Sequence, residues 1–127
     1  MTDKNDFAET FSALKNILKP YEKKLILVHD TDSNYYLDTH HFIRPKYPLF
    51  FAAVRSSKAY VSFHLMPVYA NAALLEGMSP ELKRHMQGKS CFNFKKPDAK
   101  LFKELAAITK KGFALFNDKK FREKIFR

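Results

Sequence analysis

Cys91 is the one cysteine of the chain. It lies between Ser90 and Phe92 in an apolar stretch. A thiol so placed packs as a small, inert hydrophobe. It becomes a nucleophile only where a neighbouring cation lowers its pKa, and Lys89, Arg84 and His64 are the candidates for that role. A Cys–His hydrolase would also need an oxyanion hole. The segment His64-x-x-Pro67-x-Tyr69 sits where a strand should stop. Strand ends and the loops after them often carry function, which makes this a candidate pocket rim. The plainer alternative is that Tyr69 simply packs.

Other clusters copy parts of known sites. Gly88-Lys89-Ser90 ends like a phosphate-binding loop, but position 83 is Lys83 where the earlier glycine belongs, and a strand should follow. Both departures speak against a true nucleotide cradle. A looser anion site built from Lys89 and backbone N–H groups stays open. Asp30-x-Asp32-x-Asn34 starts like a calcium loop, yet Tyr35 replaces the turn glycine and His41 replaces the bidentate glutamate. A hairpin turn is the better account. His40 and His41 are adjacent, so an extended backbone points them to opposite sides. His29, His64 and His85 are isolated, and no spacing of metal ligands emerges. The expectation is therefore no metal and no cofactor.

Charge supplies the broadest hint. There are 23 Lys and Arg against 13 Asp and Glu, a net charge of +10. Residues 1–78 hold 9 basic and 8 acidic residues, while 79–127 hold 14 and 5. Such a field attracts nucleic acid, phosphorylated small molecules, acidic protein surfaces or anionic lipid. No reading motif for nucleic acid accompanies it. A solubilising surface is the plain alternative.

These groups need a scaffold, and 127 residues with 46% hydrophobic and 15% aromatic content can build one domain with its own core. A lone cysteine suits a reducing compartment. The polar N-terminus shows no secretion signal, and runs such as Pro48–Val54 are too short to span a bilayer. The expected setting is the cytoplasm, without membrane attachment.

Asp6 can cap a helix to about Lys19, with Phe7, Phe11, Leu14, Ile17 and Leu18 on one stripe. Lys24–His29 reads as a buried strand, Asp30–Asn34 as a turn, and Tyr35–Asp38 as the returning strand. Thr39–Pro48, with two prolines, reads as a loop or irregular edge. Pro48–Arg55 and Ala59–Met66 form the clearest hairpin. In the latter, Tyr60, Ser62 and His64 alternate with Val61, Phe63 and Leu65. Pro67 can open a short helix ending by Gly77, and Ser79-Pro80-Glu81 starts another that Gly88 ends. Ser90–Phe94 is a short strand. Asp98 caps a long helix to about Phe116, and Asn117–Arg127 can add an amphipathic turn with Phe121, Ile125 and Phe126 inward. The fold class is α+β: an antiparallel sheet of about five strands, covered on one face by N- and C-terminal helices.

Three strings then carry a family resemblance: Lys58–Tyr69 (KAYVSFHLMPVY), Gln87–Phe94 (QGKSCFNF) and Glu104-Leu105. Over Lys58–Phe116 the chain resembles the YdhG-like family of bacterial domains of unknown function. That resemblance implies a frataxin-like architecture of two terminal helices on an antiparallel sheet. It also implies iron handling as one activity. Iron prefers anionic oxygen ligands, and the first helix offers Asp6 and Glu9 in a strongly basic chain. The family's recognisable segments select His64, Pro67, Tyr69, Lys89, Ser90 and Cys91. If Ala59–Met66 pairs with Ser90–Phe94, these converge on a small-anion pocket, with Lys89 as charge partner and His64, Tyr69 and Ser90 as hydrogen-bonding groups. Three functional readings result. A non-enzymatic binding or adaptor domain for an anionic ligand or acidic partner leads. A frataxin-like iron chaperone and an enzyme using Cys91 or His64 follow.

Overall fold

The computed structural model describes residues 2–125, with the side chains of 7–42 and 45–124. Helix α1 spans Thr2–Leu18. Phe11, Leu14 and Leu18 are its buried stripe. The helix starts before Asp6, so Asp6 lies inside it rather than capping it. Pro20 does end the α-helix, by opening a 3-10 turn over Lys19–Lys24.

Six antiparallel strands follow, in the spatial order β1-β2-β3-β4-β6-β5. They are β1 (Ile26–Asp30), β2 (Asn34–Arg44), β3 (Tyr47–Ser56), β4 (Val61–Leu65), β5 (Met86–Gln87) and β6 (Cys91–Phe94). The sixth strand beyond the expected five is β5. It has two residues, too few to show a period-two pattern, and it lies where a helix run to Gly88 was expected. The left-handed backbone of Gly88 (φ 73°) turns β5 back into β6.

Two further expectations are corrected. Thr39–Pro48 is not a loop but strand on both sides of a turn at 45–46, with the irregular pairing that was the other alternative between Asp38 and Arg44. Its prolines avoid the ladder's interior: Pro45 sits in the tight turn with Lys46, and Pro48 lies near the start of β3. Lys46 takes the left-handed conformation there. The strand at residues 26–30 is not buried. It is the sheet edge, with Leu27 and Val28 about 40% exposed and a register shift between Leu27 and His29.

After β4, Met66–Ala70 forms α2, and Pro80–Lys83 forms α3 with Ser79 Oγ accepting from Leu82 N–H. Asp98 caps α4 (Ala99–Phe116) by accepting from Leu101 N–H at 3.1 Å. Helix α5 covers Lys119–Ile125. Phe121 packs partly against the core as expected. The expected inward turn of Ile125 and Phe126 lies outside the described side chains.

One hydrophobic cluster joins the buried faces of α1 and α4 to the sheet. Tyr35, Val54, Phe63 and Phe92 form one row across it, each the cross-strand partner of the next. The pleat sends the alternate residues to the other face, and that face carries the candidate site. No helix of the described residues is long and apolar enough to cross a membrane.

Candidate functional site

Across the open face, Tyr36, Ala53, His64 and Cys91 are successive register partners on β2, β3, β4 and β6. The next row is Arg55, Ser62 and Asn93. A register shift in the β2–β3 ladder sets Phe50, rather than Phe51, opposite Asp38. Phe51 and Ala52 are both buried, as the extra residue of a bulge allows, and Phe50 is turned to the open side. There its ring stacks on Tyr36 (centroids 4.6 Å apart) and meets His64 edge-on at 5.3 Å.

The result is a concavity of about 510 Å³. Tyr36, Phe50, Tyr60 and Met66 supply apolar walls; Arg55, Ser62, His64 and Cys91 supply the polar groups. A volume of that order suits a small ligand, and mostly apolar walls with a few polar anchors are the usual composition of such sites. Ala53 lies in the floor, where a larger side chain would fill the space. Arg55 is exposed, with its guanidinium carbon 5.9 Å from the Tyr36 ring centroid. Among the described residues it has no carboxylate partner. Asp38, two residues beyond Tyr36 on β2, is partly buried, and burial holds its carboxyl above the usual range.

The expected pairing of β4 with β6 is present, and it brings His64, Ser90 and Cys91 together. Ser90 Oγ is 2.9 Å from His64 Nε2, and Cys91 Sγ is 3.2 Å from His64 Nδ1. A neutral imidazole carries one N–H, so it donates to one of these neighbours and accepts from the other. Both ring nitrogens are therefore engaged, by Ser90 and Cys91. Burial, and secondarily the Arg55 cation, hold the His64 pKa below its ordinary value. Burial raises that of the Cys91 thiol. Both shifts oppose a thiolate–imidazolium pair and favour the neutral forms of the dyad. Accordingly, iodoacetamide at pH 7 should alkylate Cys91 more slowly than the same cysteine in the urea-unfolded chain, read by mass spectrometry. Faster labelling of the folded protein would restore the nucleophile.

Tyr69, Arg84 and Lys89 are not brought to this site. Tyr69 is 61% exposed on α2. Arg84 follows α3, and Lys89 lies between β5 and β6; both are exposed and stand outside the concavity's lining. Sequence reasoning missed the walls, Tyr36, Phe50, Tyr60 and Met66, the floor at Ala53, and the polar Arg55 and Ser62. The signal for Ser62 was the outward set of the β4 alternation, which also holds His64.

The remaining polar clusters are accounted for locally. Asp30 is paired with Lys15 at 2.7 Å, and Thr31–Ser33 make the hairpin turn. His40 is exposed, while His41 Nε2 lies 3.2 Å from Asn117 Oδ1. His85 stacks on Phe94 and bonds the Asn93 carbonyl through Nδ1. Among the described residues no three His, Cys, Asp or Glu side chains converge on a point where a metal could sit. Comparison with models of protein families, with curated proteins and with solved structures finds no match to this chain.

Proposed function

We propose that this chain is a YdhG-like cytoplasmic domain that binds an anionic ligand on its open sheet face without transforming it. The observation that carries the proposal is Arg55, an exposed cation without a carboxylate partner among the described residues, at the edge of an aromatic-walled concavity. A carboxylate or phosphate placed against Arg55 gains a charge-assisted hydrogen bond. The chain's excess positive charge favours the encounter. The size of the concavity suits one anionic group with an adjoining small moiety rather than a broad acidic protein surface. Burial raises the Cys91 pKa and disfavours a thiolate nucleophile, which supports binding over catalysis. The iron-chaperone reading has less support, because the exposed charge here is the Arg55 cation, burial disfavours the ionised form of Asp38, and hard cations seek anionic oxygens.

A panel of phosphorylated and carboxylated metabolites should raise the melting temperature of the wild-type protein. A ligand present at 100 times its Kd adds about 2.7 kcal/mol of stability. Arg55→Ala should abolish the shift, whereas Lys89→Ala should leave it intact. Loss of the shift in Lys89→Ala alone would move the site to the β5–β6 turn. Stoichiometric stabilisation by ferrous iron, with phosphates inert, would replace the proposal with iron handling.

A further inference from the structure

Tyr60 is 37% exposed and lines two concavities rather than one. Beyond it lies a second hollow of about 620 Å³, lined by His85, Asn93, Lys95, Lys96 and Asp98. The two hollows are neighbours, since Ser62 in the first donates to Asn93 Oδ1 in the second at 2.7 Å. Cations stand on both sides of the tyrosine: Arg55 on one, Lys95 and Lys96 on the other. Among the described residues none of the three is ion-paired. Asp98 is the acid on this wall, and its Oδ1 accepts from Leu101 N–H at the start of α4. The His85 ring, stacked on Phe94 at 4.4 Å, adds a second flat surface.

We infer that this trough, from Arg55 across Tyr60 to Lys95 and Lys96, takes up single-stranded nucleic acid. The inference rests on the anion-binding reading of the Arg55 concavity and names its ligand class. A single strand offers flat bases and regularly spaced phosphates together. Tyr60, the last residue of the β3–β4 connection, stacks a base at the sheet's margin, as exposed aromatics do for unpaired nucleotides. Arg55, Lys95 and Lys96 meet the phosphates on either side. A duplex presents the phosphates but hides the base faces, so it cannot use Tyr60.

The test is a fluorescence-anisotropy titration with a labelled oligothymidylate of about twelve nucleotides. The arms are the same strand annealed to its complement and thymidine monophosphate as competitor. The strand should bind more tightly than the duplex. Tyr60→Ala should weaken it roughly tenfold or more, and Tyr60→Phe should not. Replacing both Lys95 and Lys96 with alanine should reduce the slope of log affinity against log salt by about 1.4, at ~0.7 per phosphate. Replacing Lys110 and Lys111, exposed on α4, should have less effect on affinity than replacing Lys95 and Lys96. Indifference to Tyr60→Ala, or equal losses from both lysine pairs, would show unspecific attraction and overturn the inference. Competition by the monophosphate at equal affinity would mean that a free nucleotide, not a strand, is the ligand. If the strand fails while small anions still stabilise through Arg55, the inference falls alone. If that stabilisation fails too, both fall.

Discussion

Phe63→Ala should destabilise the fold by about 3–5 kcal/mol, the usual cost of deleting a fully buried phenylalanine ring. Phe63 has no exposed surface and sits in the middle of β4, with Val54 and Phe92 as its cross-strand partners. A domain of this size has about 5–15 kcal/mol in total, so the loss is a large fraction. Urea denaturation should show a lower midpoint with an unchanged slope. The substitution also tests whether core and site are separate. Ser62 and His64 flank Phe63 in sequence but face the other side of the sheet. Below its melting transition, the variant should therefore gain the same increment from an anionic ligand as the wild type. A loss under about 1 kcal/mol would mean that the helices do not close over this row.

That separation was partly legible in the residues themselves. Alternation along Tyr60–Leu65 divided the strand into an apolar and a polar set, because a pleated strand covered on one side permits little else. Long elements with caps were also legible: Asp98 starts α4 and Phe116 ends it, as the apolar stripe requires. The charge partner of the site was not. Lys89 is near Ser90 and Cys91 in sequence, which made it the natural choice. Arg55 is distant in sequence but opposite Ser62 in the β3–β4 register. Reading that pair in advance needs the hairpin register, and the four residues 57–60 joining the strands admit more than one. Phe50 was hidden more deeply. Its face depends on a bulge one residue away, and a single inserted residue reverses every later inference about sides. The edge strand was misjudged for a simpler reason. ILVHD is apolar enough for burial, yet no local signal states that β1 ends the sheet.

Gly112→Ala should destabilise the protein by about 1–3 kcal/mol, although alanine is intrinsically the better helix former by about 1 kcal/mol. Gly112 lies in the buried stripe of α4, in step with Leu105, Ile108 and Phe116. A Cβ there would stand 2.8 Å from Pro67 Cβ and 3.0 Å from Pro67 Cγ. Those atoms belong to a rigid ring on α2 and cannot swing aside as a long side chain would, so the helices must separate. Gly112→Leu should cost more, because a whole side chain has to enter the same contact. The consequence reaches the open face, since α2 begins at Met66, which lines the Arg55 concavity. Displacing α2 should therefore weaken anion binding as well as lower the melting temperature, whereas Phe63→Ala lowers only the latter. Calorimetry of Gly112→Ala with and without ligand checks both effects. A variant more stable than the wild type would show that helix propensity outweighs the clash and that the close approach of α4 to Pro67 does not hold α2 in place.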